Sequence, residues 1–177
     1  GRFVGLGAAR KTRTSKGRIM IQVLTGIWAL LAGIVLIMLG NGMHFTLIGL
    51  RGGIEGFSSA ELAFVASGYF MGFLSGARLT PLLIRRVGHI RAFAAFTSIS
   101  GLVMLAMSWQ LSLESWVGLR FVHGFTSNAI FMIVQSWLNE RTESRFRGQI
   151  MAFFYVSYTL SYGGGALILN FLNVATV

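Results

Sequence analysis

A chain of 177 residues that is 54% hydrophobic and 11% charged, yet carries a net charge of +10, departs from an average soluble domain, in which about a quarter of residues are charged. Its basic residues lie between apolar blocks long enough to span lipid, which sets nucleic acid aside as a partner. With no cysteine, disulfides, thiolate catalysis and Cys-ligated metals are excluded.

Residues 1–18 form a basic tail carrying Arg2, Arg10, Lys11, Arg13, Lys16 and Arg18. The first residue is Gly1 rather than Met, so a processed, trimmed or partial start is expected. A secretory signal does not fit, because the apolar run that follows is too long; an Arg-rich transit peptide fits less well than an orientation signal with affinity for anionic headgroups.

Apolar runs of about 18 or more residues read as transmembrane helices, and five are predicted. The first covers about 19–50, with Gly26, Gly33 and Gly40 on nearly one face and Asn41 and His44 as its strongly polar residues. Those two read as bundle-lining groups that bind a solute, or as neutral groups satisfied inside the bundle. The second span, about 59–84, contains "GYFMGFLSG", in which Gly68, Gly72 and Gly76 recur every fourth residue. Small side chains at that interval let helix backbones approach in lipid, where hydrophobic exclusion gives no drive. A turn carrying Arg85, Arg86, Gly88 and Arg91 follows, then a third span, about 90–109. The fifth span, about 148–172, has Ser157, Ser161 and Gly165 at the same fourfold interval.

The fourth span, about 113–138, is the most polar. At 100° per residue Arg120, His123, Ser127, Phe131, Val134 and Gln135 fall within roughly 120° of one another. An arginine at mid-helix costs about 2.5–3.5 kcal/mol on insertion scales and marks a functional site by default. A plainer alternative is an arginine that snorkels to the headgroups or bonds to a neighbouring helix end. The chain has no Asp, and its five Glu stand at or near span ends. A carboxylate proton relay is therefore not expected; Arg120, His123 and His44 suit an anionic or polar ligand, or a histidine relay.

Lys and Arg gather in the tail, in the turn after span two and in the loop after span four, which holds Arg141, Arg145 and Arg147. The opposite side has Arg51 beside Glu55, Glu61 and Glu114. The positive-inside rule then places the N-terminus and every second loop in the cytoplasm, in a multi-pass protein of the cell's inner membrane. Fold class is an all-α polytopic membrane helix bundle, with the lipid bilayer as its first partner.

Three stretches carry a family resemblance: residues 41–58, "NGMHFTLIGLRGGIEGFS"; residues 82–93, around Gly88; and residues 135–154, "QSWLNERTESRFRGQIMAFF". With them the chain after the tail resembles the N-terminal half of a major facilitator superfamily transporter, most like the bacterial YcaD-type branch. That family's loop between spans two and three reads G-x-L-a-D-R-x-G-R-R. Aligned on Gly88, Arg86 matches the first Arg, while Pro81 replaces the first Gly, Arg85 the Asp and His89 an Arg. The resemblance implies an inward gate built from Arg85, Arg86, Gly88 and Arg91, with Glu140 and Glu143 as acceptors in place of the missing Asp. The family's Glu followed seven residues later by Arg is matched by Glu140 and Arg147. "RFVHG" resembles the family motif R-x-x-Q-G, with Arg120 and Gly124 matching and His123 in place of Gln, which implies a role for Arg120 in substrate binding or coupling. Span five has only "SYGGG" where the antiporter motif carries Gly-Pro, so drug antiport is less favoured.

The resemblance implies a secondary transporter moving a small, polar or anionic solute by alternating access, with the remaining transporter helices, or another membrane subunit, as partner. Substrate contacts are expected from Arg120, His123, Asn41, His44 and Gln135. The alternative is a non-transporting accessory subunit or truncated paralogue docked in a larger membrane complex. No HExxH, G-x-S-x-G, P-loop or paired-carboxylate pattern occurs, so no enzyme, metal or cofactor is expected.

Overall fold

The computed structural model describes residues 31–109 and 112–171, with side chains through Leu169. The basic tail, Gly26, the start of the first predicted span and the last residue of the fifth lie outside them. Five helices are long and apolar enough to cross a membrane: α1 (Leu31–Ile54), α2 (Ser59–Val87), α3 (His89–Trp109), α4 (Leu113–Arg141) and α5 (Ser144–Phe171). Among the described residues there is no strand. Helix α4 ends at Arg141 and α5 begins at Ser144, so both outrun the apolar segments at 113–138 and 148–172. Hydropathy marks where a helix can meet hydrocarbon, whereas backbone bonding continues into the headgroup layer until a cap ends it.

Local chemistry sets the turns. Ser58 caps α2 through a capping box: its hydroxyl accepts from the Glu61 amide, and the Glu61 carboxylate accepts from the Ser58 amide at 2.8 Å. Such caps are worth about 1 kcal/mol. Ser112 caps α4 with its hydroxyl alone, accepting from the Ser115 amide. Between α2 and α3 stands a single residue, Gly88, at φ 85° and ψ 159°, with its N–H donating to the Ile84 carbonyl at 2.8 Å. Side-chain-bearing residues rarely enter that region, which accounts for a glycine among the arginines of the turn.

Helix α4 lies at the centre. Of its most apolar window 56% is buried, against 22% for α2, α3 and α5, whose outward leucines (Leu74, Leu102, Leu105 and Leu160) are about two-thirds exposed. The α2–α4 contact is a glycine seam. A Cβ on Gly68 would lie 2.7 Å from the Val117 carbonyl and one on Gly76 2.9 Å from that of Phe125, while one on Gly72 would fall inside the Phe121 carbonyl. The three pairings keep one register, so the two helices run in the same direction. Gly124 on α4 returns the arrangement by sitting against the Tyr69 carbonyl.

The α1–α5 crossing is built alike. Gly42 packs on the Tyr162 carbonyl and Gly165 on the Leu39 carbonyl; in each crossing a glycine faces the carbonyl three residues before its partner glycine. The stripe of Gly33 and Gly40 on α1 is not this contact. Among the described residues Gly33 only grazes Phe93, and Gly40 has nothing within 4 Å of where a Cβ would stand.

Two apolar cores result. One gathers Leu31, Ile34 and Met38 of α1, Ile130, Val134 and Leu138 of α4, and Phe154 of α5. The other joins Ile48, Val65, Met107 and Trp116 from α1 to α4. Between them along α4 lies a buried polar layer: Arg120, His123, Thr126, Ser127 and Asn128, met by Asn41 from α1.

Candidate functional site

The polar layer is organised by one helical turn. Arg120 and His123, three residues apart on α4, are each 2% exposed, and Arg120 Nη1 stands 3.1 Å from His123 Nδ1. A guanidinium only donates, so Nδ1 accepts and the ring proton sits on Nε2. That Nε2 donates to Asn41 Oδ1 at 2.9 Å. Arg120, His123 and Asn41 thus form a chain across the α4–α1 interface in which each geometry fixes the next. Aromatic rings enclose it. The guanidinium carbon lies 4.6 Å from the centre of the Tyr69 ring and 5.8 Å from that of Phe45. The His123 ring meets His44 edge-on at 5.2 Å and Tyr69 at 5.7 Å.

Charge is the unusual feature of this layer. Among the described residues Arg120 pairs with no carboxylate; the only ion pairs are Arg51–Glu55 and His89–Glu140, both at helix ends. Its Nε has no hydrogen-bond partner there, nor do the buried polar atoms His44 Nε2, Ser127 Oγ and Asn128 Oδ1. Buried polar atoms are nearly always bonded in proteins, and π faces compensate a desolvated cation by only about 2 kcal/mol. This layer can therefore take an anionic group beside Arg120, with neutral donors and acceptors to orient it.

The predicted solute contacts separate here. Arg120, His123, Asn41 and His44 come together. Gln135 does not: it shares their stripe on α4, but 12 residues from His123 amount to about 18 Å of rise, and its amide donates to the Tyr155 hydroxyl instead. Tyr69 and Phe45 were not anticipated as site residues. Tyr69 follows Gly68 in the packing motif, and an aromatic ring flanking a glycine seam is the signal that points to it, since the seam brings its ring over α4. A cavity of about 260 Å³ opens beside the layer between α1, α3 and α4, lined by His44, Ile48, Met104, Met107 and Trp116 among others.

At the opposite end of α4 the basic turn meets the helix end differently from the expected gate. Arg85, Arg86, Arg91 and Arg147 are exposed and form no ion pair among the described residues. Glu140 does approach the turn, but its partner is His89, with Nε2 at 3.5 Å from Oε1 and at 3.2 Å from Ser136 Oγ. Because Gly88 alone separates the helices, α3 starts at His89, whose half-buried ring is carried onto α4 while the arginines stay outside. Arg141 lies over the Trp137 ring at 5.5 Å.

Residues 53–164 match the family described as "Uncharacterised MFS-type transporter YbfB", a stretch that takes in the glycine seam, the Arg120 turn and the α2–α3 turn. The chain belongs to the major facilitator superfamily. Among curated proteins it is similar to the "Uncharacterized MFS-type transporter YcaD" of Escherichia fergusonii, 29% identical over 144 residues, and to that of Escherichia coli, 31% identical over 146 residues. Each alignment covers 81% of this chain and 38% of the relative, so the chain spans under half the length of the curated relatives it matches. No solved structure matches it. Superfamily membership and the five apolar helices among the described residues make this a multi-pass membrane protein of a transporter family.

Proposed function

We propose that the chain is the N-terminal part of a secondary transporter that moves a small anionic solute by alternating access, with Arg120 as the residue that holds the anion. The observation that carries this reading is a buried guanidinium bonded to a neutral histidine and two aromatic faces, in a stretch whose every acidic residue stands at a helix end. A solute carboxylate or phosphate supplies the countercharge that the protein withholds, and pairs with a planar fork suited to bidentate recognition. His123 and Asn41 orient the fork from below; Tyr69 and Phe45 exclude water around it. The polar layer sits between two apolar cores, as expected of a site near the midplane that is exposed alternately to either side.

In this reading the N-terminus and the α2–α3 turn lie on the cytoplasmic side of the inner membrane, which the positive-inside rule supports through the arginines and lysines gathered there. There the contact of His89 with Ser136 and Glu140 acts as the inner latch, with Arg85, Arg86, Gly88, Arg91 and Arg147 around it. Gln135, bonded to Tyr155, lines the path between the layer and that latch.

The test is a thermal-shift screen of small mono- and dicarboxylates and organophosphates on the full-length protein, since a ligand that binds the folded state stabilises it by mass action. At least one anion is expected to raise the melting temperature of the wild type. Its shift, and its uptake into proteoliposomes, should vanish in Arg120→Ala and survive in part in Arg120→Lys. Stabilisation confined to neutral or cationic solutes, or anion uptake unchanged in Arg120→Ala, would sink the proposal.

A further inference from the structure

The end of the bundle that carries the α2–α3 turn holds a second cavity, of about 290 Å³, apart from the polar layer and beside the latch proposed above. It is lined by Val87, Gly88, Ile90, Arg91, Trp137 and Arg141, with His89 and Glu140 at its wall. Two of these side chains are arginines without an acidic partner among the described residues. The single acid, Glu140, is turned to His89 at 3.5 Å. The cavity is therefore net basic. Its other rim is apolar and open: Ile90 is 73% and Val87 46% exposed, where α2 ends and α3 begins. Trp137, with Arg141 over its ring at 5.5 Å, is the kind of residue that settles at headgroup depth. A cationic pocket continuous with an exposed apolar rim matches an amphiphile that has phosphate at one end and acyl chain at the other.

We propose that this cavity is a binding site for an anionic phospholipid, with the phosphodiester on Arg91 and Arg141 and the acyl chain along Ile90 and Val87. Basic pockets between helix ends select anionic headgroups in this way, and guanidinium forks bind phosphate oxygens in pairs. The α3 backbone adds to the attraction. Its first turn, His89 to Arg91, lies along the cavity, the residue before it is a glycine with no side chain to cap it, and no acid stands in that turn; a helix N-terminus favours a phosphate there. A lipid so placed lies against the His89–Glu140 contact and ties the turn to the end of α4.

The experiment uses the full-length protein in nanodiscs of phosphatidylcholine, with phosphatidylglycerol added in steps and retained lipid counted by native mass spectrometry. Phosphatidylglycerol is expected to be held in preference to phosphatidylcholine and phosphatidylethanolamine. Arg91→Gln and Arg141→Gln should each weaken its retention by about fivefold, as an interaction of about one basic side chain implies. Arg145→Gln, which removes the same charge from the same end but outside the cavity, should change it by less than about twofold. Equal losses in all three variants would reduce the site to a diffuse field and overturn the proposal. So would equal retention of phosphatidylethanolamine, or displacement of the lipid by millimolar inorganic phosphate, which would make this a site for soluble anions. Should the Gln variants fail to fold, the lipid preference and phosphate competition of the wild type decide the matter, and Arg91→Lys and Arg141→Lys should retain the lipid.

Discussion

His123 works through both of its nitrogens: one accepts from Arg120, the other donates to Asn41. Glutamine can do the same with its amide oxygen and nitrogen, so His123→Gln is expected to keep both solute binding and thermal stability. His123→Leu strands Arg120 Nη1 and Asn41 Oδ1, at a cost of about 1–3 kcal/mol for each buried group left unpaired. Thermal unfolding in detergent together with uptake would check this, and equal behaviour of the two variants would detach His123 from the positioning of Arg120. Arg120, His123 and Asn41 were legible in the sequence because polar residues inside apolar runs announce themselves. The box around them was not, since Tyr69 and Phe45 look like ordinary membrane aromatics until a fold brings them over a guanidinium. His89 was passed over for a related reason: its arginine neighbours carry the family pattern, but only the start of α3 decides which side chain turns inward.

At the level of helix pairs, the two glycine crossings hold the bundle where burial of apolar surface gives no net drive. Close backbone approach yields dispersion contacts and Cα–H···O bonds of about 0.5–1 kcal/mol each. Gly72→Val inserts an isopropyl group whose Cβ falls where the Phe121 carbonyl stands, so it should destabilise by about 1–3 kcal/mol. Gly101→Val, on α3 where nothing lies within 4 Å of a built Cβ, should leave the unfolding temperature nearly unchanged. Similar losses at both positions would show that helix propensity, not packing, governs these sites. The α2 ladder of Gly68, Gly72 and Gly76 could be read from its spacing alone. The α1–α5 crossing could not, because Gly42 and Gly165 stand on different helices and no periodicity within one helix says which face another will meet. The evenly spaced Gly33 and Gly40 illustrate the reverse case: regular spacing without a close neighbour.

For the molecule as a whole, the proposed topology puts Arg86 and Arg145 on one side of the bilayer and Gly53 on the other. These 177 residues hold no cysteine, so single Arg86→Cys, Arg145→Cys and Gly53→Cys variants, made in the full-length protein with any cysteine elsewhere replaced by serine, can be labelled in intact cells without background. An impermeant maleimide is expected to reach position 53 only, and labelling at 86 or 145 from outside would invert the arrangement. The five long apolar helices and the all-helical class of the described residues were plain from hydropathy, because hydrocarbon tolerates few alternatives to a closed backbone. Which helix would lie at the centre was foreshadowed only by polarity: the span richest in buried hydrogen-bonding groups is the one the others surround. That centrality bears on how the protein is made. While the ribosome is still extending it, α4 reaches the translocon with a cation, an imidazole and an amide that lipid will not accept, and α1 and α2 must already be waiting to shelter them. Nascent chains deprived of α1 should therefore release α4 poorly into the membrane and pass it to quality-control proteolysis.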